Sequence, residues 1–230
     1  RIPAKKAIKL PKQLSFHNAA MLKANPPSAH LMLADYVNLN AGDWVIQNAA
    51  NSAVGRHIIR LANACGVRTI NVVRRDPLIR ELREIGADLV ILDGPDLAKR
   101  VRENIGPHAN VPLAIDAVAG NACMRLADCL SDGGTVVNYG MLSGNPCEIT
   151  PEQTIVRSIS LTGFWLFNFM QRSTYEEISA MYTGLAHKFL DGTLMTPVEA
   201  SYPIEEVKQA LAQAYRASRN GKVLLLPNGP

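Results

Sequence analysis

Residues 44–55 read Trp44-Val45-Ile46-Gln47-Asn48-Ala49-Ala50-Asn51-Ser52-Ala53-Val54-Gly55. Trp44–Gln47 has the apolar, β-branched character of a buried strand. Gly55–Ala64 follows as a helix with Ile58, Ile59, Leu61 and Ala62 as its apolar residues. A strand that turns directly into a helix through small residues is the layout of a phosphate-binding turn. The helix N-terminus there offers free N–H groups and a partial positive charge. The usual spacing is G-x-G-x-x-G. In this chain it reads Ala50-x-Ser52-x-x-Gly55, and only the last glycine remains, where helix and strand pack closely.

Working outward, strand and helix patterns alternate. Further strands are expected at Arg68–Val73, Asp88–Leu92, Leu113–Asp116 and Thr135–Asn138. Helices are expected at Leu78–Ile85, Asp96–Ile105 and Asn121–Leu130. Short links between such units imply a parallel sheet covered on both faces, a doubly wound α/β fold. Upstream, 13–37 reads as a helical lead-in broken at Asn25-Pro26-Pro27, with a short helix over Ser28–Tyr36. Downstream, Ser158–Leu166 reads as a strand, Tyr175–Leu190 as a long helix, Thr196–Tyr202 as a strand, Pro203–Ser218 as a helix and Lys222–Leu226 as a final strand. The domain expectation is a lead-in at 1–35, a dinucleotide-binding domain at 36–167 and a C-terminal segment at 168–230.

The end of the second strand bears on which dinucleotide. An NAD site places an acid there, about twenty residues past the turn, to bond the ribose hydroxyls. Here Val73 is followed by Arg74 and Arg75. An acid repels a 2′-phosphate, whereas two guanidinium forks pair with it, so the residues favour NADPH. Asp76 comes too late to replace the acid and suits an N-cap before Pro77.

Hydrophobic residues make up 47% of the chain and charged residues 19%, the mix of a globular protein. The net charge is +4, but Arg1, Lys5, Lys6, Lys9 and Lys12 concentrate it at the start. The body is near neutral, which argues against a nucleic-acid surface. No apolar run reaches the length of a membrane helix. The basic start lacks a secretory apolar core and reads as a trimmed chain entering a loop. Cys65, Cys123, Cys129 and Cys147 form no CxxC pair, so no metal site is expected. The first three sit in apolar helical patterns as buried inert thiols, which fits a reducing compartment. His17, His57, His108 and His187 match no motif and suit surface or structural roles.

Several runs carry a resemblance: Asn51–Gly55, Thr69–Arg74, Asn138-Tyr139-Gly140-Met141, Gly163-Phe164-Trp165-Leu166 and Gly221-Lys222-Val223. Together they resemble the medium-chain dehydrogenase/reductase superfamily. Within it the chain looks most like the zinc-free 2-enoyl thioester reductases of mitochondrial type, while quinone oxidoreductases share the small-residue turn and the final Gly-Lys-Val. The resemblance implies a Rossmann domain with a C-terminal fragment of a GroES-like catalytic domain. It implies cofactor contacts from Asn25, from Asn51, Ser52, Ala53, Val54 and Gly55 at the pyrophosphate, and from Arg74 and Arg75 at the 2′-phosphate. Tyr139, Gly140, Met141 and Leu142 would flank the nicotinamide, Phe164, Trp165 and Leu166 would line the nicotinamide and acyl pocket, and Lys222 would reach the cofactor. The chain departs from the family at His30, where an aromatic is usual. It also departs in matching no tyrosine to the proton donor, which the family carries in an N-terminal domain upstream.

The activity so implied is NADPH-dependent reduction of the C=C bond of a 2-enoyl thioester. The alternatives are a quinone or enone reductase, or a truncated NADPH-binding module. A homodimer joined through the Ser158–Phe164 edge is implied, with residence in a bacterial cytoplasm or a mitochondrial matrix.

Overall fold

The computed structural model describes residues 7–216 and 221–227. Arg1, Lys5 and Lys6 of the basic start, and Ser218 at the end of an expected helix, lie outside them. The chain divides into two compact units, one of residues 24–174 and one of residues 1–23 with 175–230.

The larger unit is built on six parallel strands: β1 (Trp44–Gln47), β2 (Arg68–Val73), β3 (Leu89–Leu92), β4 (Leu113–Asp116), β5 (Thr135–Asn138) and β6 (Ser160–Gly163), in the order β3-β2-β1-β4-β5-β6. The helices α3 (Ala53–Ala64), α4 (Pro77–Glu84), α5 (Leu97–Ile105) and α6 (Asn121–Cys129) connect them. One core gathers Ile46, Ile70, Val72 and Val136 with Leu97 and Val101 of α5 and Leu126 of α6. The other gathers Val73 and Val90 with Ile59 of α3 and Leu82 of α4. The sheet is therefore covered on both faces, as the alternation implied. Full burial removes the period-two pattern from β1 and β4, whose residues are buried throughout.

Several local expectations are corrected. α2 spans Asn25–Ala34, with prolines in its first turn. The Asn25-Pro26-Pro27 run is thus a helix start rather than a break, because proline lacks only an N–H that the first turn leaves unpaired. α1 is confined to Phe16–Met21. α2 packs on α3, which is why the larger unit begins at Ala24 rather than at 36. Asp76 sits at the N-cap position of α4 but makes no side-chain cap bond, since its backbone is already αR. β6 ends at Gly163; Phe164 and Trp165 lie beyond it and Leu166 opens α7 (Leu166–Arg172), so the expected strand is cut short. A π-helical turn at Glu152–Val156 precedes β6 and had no sequence signal. Cys65 is exposed where α3 ends, not buried; Cys123 and Cys129 are buried as expected.

In the smaller unit, α8 (Tyr175–Leu190) has the expected bounds, and the Tyr182 hydroxyl donates to the Lys23 carbonyl at 2.7 Å. β7 (Val198–Pro203) pairs in parallel with β8 (Lys222–Leu226), and α9 (Val207–Ala214) packs on that ribbon. The single helix expected from Pro203 is split, with a 3₁₀ turn at Ile204–Glu206 ahead of α9.

Candidate functional site

The strand order reverses direction between β1 and β4. In an open α/β sheet that switch point leaves a crevice beyond the carboxyl ends of the strands. The turn after β1 forms one wall. Ser52 caps α3 by accepting the Gly55 N–H at 3.1 Å. A Cβ on Gly55 would lie 2.5 Å from the Ala50 carbonyl oxygen, so the surviving glycine of the motif sits where no side chain fits. Ala49 takes a left-handed φ of 46°, a conformation glycine usually fills. The Ala50 N–H donates to the Val72 carbonyl at 3.4 Å. This bond places the turn against β2 two residues before Arg74. Arg74 and Arg75 follow the strand and are exposed.

Residues that the sequence reasoning passed over stiffen this wall. Buried Gln47 donates through Nε2 to the Gly55 carbonyl at 2.9 Å and to Asn71 Oδ1 at 2.8 Å. Arg56 donates to the Asn51 carbonyl at 3.2 Å and pairs with Glu81 of α4. Beside the tip of β2, the Asp93 carboxylate is held by Arg125 Nε at 2.8 Å and Nη2 at 2.6 Å. Its negative charge is thereby matched close to where Arg74 and Arg75 follow β2. The signals were present only in outline: a glutamine inside an apolar strand, and acids at strand ends.

The floor of the crevice is polar and buried. Asp116, fully buried at the end of β4, accepts from Asn48 Nδ2 at 2.5 Å, from Val118 N–H at 2.9 Å and from Asn138 Nδ2 at 2.8 Å. The Ala119 N–H reaches both carboxylate oxygens at 3.1 Å. Asn48 Oδ1 in turn accepts the Ala117 N–H at 2.7 Å.

The opposite wall follows β5 and β6. A Cβ on Gly140 would meet the Ala117 carbonyl oxygen at 2.8 Å, so this segment too needs its glycine. Tyr139 turns its phenol to the Ser52 hydroxyl across the crevice. Burial holds that phenol above its ordinary value, the Ser52 hydrogen bond opposing. Met141, Leu142 and Trp165 are exposed at 69%, 73% and 64%, unusual for large apolar side chains and consistent with a surface that takes an apolar ligand. Trp165 and Phe167 stack at 4.9 Å between ring centres. The Phe164 N–H donates to the Asn138 carbonyl at 2.8 Å, which brings the Phe164–Leu166 segment to the same strand ends as Tyr139.

Of the residues expected at the site, the turn from Asn51 to Gly55, Arg74, Arg75, Tyr139–Leu142 and Phe164–Leu166 all follow the carboxyl ends of strands of one sheet. Asn25 opens α2 of the same unit, and Lys222 opens β8 in the other.

One group of described residues has the composition of a metal site: Asp116, Cys123 and Cys147 offer ligand atoms within 4.8 Å of one another. It does not suit zinc. The carboxylate lone pairs already accept the N–H donors named above. Burial pushes both thiols up from their ordinary values, and zinc takes thiolates. Among the described residues no helix is long and apolar enough to cross a membrane.

The family model for zinc-binding dehydrogenases matches residues 53–183. Curated relatives include the mitochondrial enoyl-[acyl-carrier-protein] reductases of Rattus norvegicus, 34% identical over 209 residues, and of Caenorhabditis elegans, 37% identical over 207 residues. These alignments cover 89% and 87% of this chain but 56% and 58% of the relatives, so the chain spans under two thirds of their length. Among solved structures, a 2-haloacrylate reductase is 26% identical with a TM-score of 0.88, over 99% of this chain and 71% of that one. With more than half of its residues matched by the family model, the chain belongs to the zinc-binding dehydrogenase family.

Proposed function

We propose that this chain is the cofactor-holding part of an NADPH-dependent reductase of 2-enoyl thioesters. The observation that carries the reading is the Ala50–Val72 backbone bond, which sets the turn after β1 beside the strand that Arg74 and Arg75 follow. The capped N-terminus of α3 would hold the pyrophosphate with Asn51, Ser52, Ala53 and Val54, and the two guanidiniums would hold the 2′-phosphate. Gly55 and Gly140 support the fit, because a Cβ at either would clash with the backbone of Ala50 or Ala117 and distort the crevice lining. Asn25 and Lys222 are further proposed contacts.

When bound, the reduced nicotinamide supplies a hydride to an electrophilic carbon, which is the cofactor's chemistry rather than the protein's. The chain's own residues bind, orient and shelter. Tyr139, Gly140, Met141 and Leu142 would flank the nicotinamide, and Phe164, Trp165 and Leu166 would offer apolar surface to an acyl chain. The exposed edge of β6, flanked by exposed Ile155 and Val156, would pair with a second copy. The relatives are mitochondrial by name, and a mitochondrial matrix or a bacterial cytoplasm suits four free cysteines. The segment 168–230 is proposed to return in part to a GroES-like catalytic domain.

Calorimetric titration with NADPH and NADH side by side tests the cofactor assignment. Tighter NADPH binding is expected, with preference lost when Arg74 and Arg75 are both replaced by Asp. Unchanged preference in that variant overturns it. A second reading, quinone reduction, draws on a Bacillus thuringiensis protein assigned as an NADPH:quinone reductase, 25% identical with a TM-score of 0.87. Turnover of crotonyl thioester against quinones by the longer natural protein separates the two.

A further inference from the structure

The geometry points to Asp116 as a positioning residue that holds the two walls of the crevice in register for the nicotinamide half of the dinucleotide. This rests on the cofactor reading above. A carboxylate with no solvent exposure is costly to bury, and an apolar residue of similar volume is often the more stable choice at such a position. Here the cost is offset by donors from three different strand ends. Asn48, the first residue after β1, reaches Oδ1 at 2.5 Å. The turn after β4 gives the Val118 and Ala119 amides at 2.9 and 3.1 Å. Asn138, the last residue of β5, reaches Oδ2 at 2.8 Å and also donates to the Gly140 carbonyl at 2.8 Å. Asn48 leads into the pyrophosphate turn and Asn138 into the Tyr139–Leu142 segment. One buried charge therefore ties both walls to the floor.

Two details support a positioning role over a filler role. Ala119 holds a left-handed φ of 63° to bring its amide to the carboxylate, and a strained backbone persists only where its surroundings fix it. The Leu142 and Ser143 amides donate to the Ala117 and Val118 carbonyls at 3.1 and 2.9 Å, so the turn that Asp116 organises carries the far wall directly. The proposed adenosine end lies beyond other strands: Arg74 and Arg75 follow β2, and Asp93 follows β3.

The test replaces the carboxylate by its amide, Asp116→Asn, in the full chain. The substitution keeps shape but replaces one acceptor oxygen by an NH2 group that faces other donors. NADPH binding is expected to weaken by about tenfold or more, and 2′,5′-ADP, which carries only the adenosine half, to change less than about twofold. Hydrogen exchange supplies a readout that needs no ligand. Exchange should quicken at 48–52 and 139–143 while β2 and β3 stay protected. Equal losses for both ligands, unchanged NADPH binding, or quickening spread evenly over the sheet each overturn the proposal. Should Asp116→Asn not fold, Asn138→Ala carries the same comparison, since it cuts only the link to the far wall. A wild-type chain that binds neither ligand sinks the cofactor reading instead, and the exchange pattern still decides the role of Asp116.

Discussion

The two ends of the crevice are built by opposite means. At the β1–β4 switch point, position is set by buried bonds. Gln47, Asn48, Asp116 and Asn138 are tied to backbone and to each other, and glycine is required at 55 and 140. At the tip of β2, Arg74 and Arg75 stand exposed, and the neighbouring acid is already matched by Arg125. On the proposed reading the first end would recognise by geometry fixed in advance and the second by charge. A preorganised wall costs little to order on binding. An exposed cationic pair gives discrimination between phosphate and hydroxyl, but it is screened by salt.

Breaking the geometric end should have the largest effect. Gly55→Val places side-chain atoms against the Ala50 carbonyl, and backbone cannot yield as a side-chain tip does. NADPH binding by calorimetry is expected to fall below detection, with a stability loss on the order of 1–3 kcal/mol in thermal unfolding. Binding close to that of the wild type would show that the turn is softer than its bonds imply. Next comes salt. Raising ionic strength from about 0.01 M to 0.15 M shortens the screening length from about 30 Å to 8 Å. Affinity for 2′,5′-ADP should fall severalfold, while the protection of the 48–52 turn in hydrogen exchange stays constant. A turn that loosens with salt would erase the distinction between the ends.

Tyr139→Phe probes the seam between the walls. Loss of the Ser52 contact should weaken NADPH by a few-fold, about the value of one neutral hydrogen bond. The variant also carries a sign. Burial favours the protonated phenol in the folded state, so its contribution to stability is present below the ordinary value of 10.0 and is lost as pH rises through the higher folded value. Alkaline unfolding curves of the variant should lack that loss; superimposable curves would place the phenol in solvent. The smallest effect on binding is expected at Asp43, which precedes β1 at the amino-terminal end of the strands, opposite the crevice. Its carboxylate accepts from the Asn40 N–H at 2.7 Å and from Asn110 Nδ2 at 2.8 Å, and these bonds hold its pKa below the ordinary carboxylate value. That stability is present above the ordinary value of 3.8 and is lost as pH falls through the lower folded value. Asp43→Asn should flatten the acid limb of unfolding and leave dinucleotide binding untouched. A binding change there would mean that the two ends of the strands are coupled.

Much of the larger unit was legible because its signals are local. The strands Arg68–Val73, Leu113–Asp116 and Thr135–Asn138 carry the observed bounds, since short β-branched runs between helices have few other ways to be buried. The last glycine of the turn was visible for the same reason, whereas the cap that Ser52 makes on α3 was not read from the sequence. What misled was also local. Two prolines read as a break where they begin α2, and an aromatic run read as strand where β6 had already ended. Cys65 looked buried by pattern, but it falls where α3 stops and the chain turns outward.

By itself the sequence determined the alternation of strand and helix, the phosphate turn and the cationic tip, because each follows from spacing along a few residues of backbone. Only the tertiary structure decided that Asn48, Asp116 and Asn138, far apart along the chain, converge on one buried charge. The physical reason is that burial of a polar group is a property of the assembled layers. No single strand shows which of its acids will lose its water, or which donors will replace it.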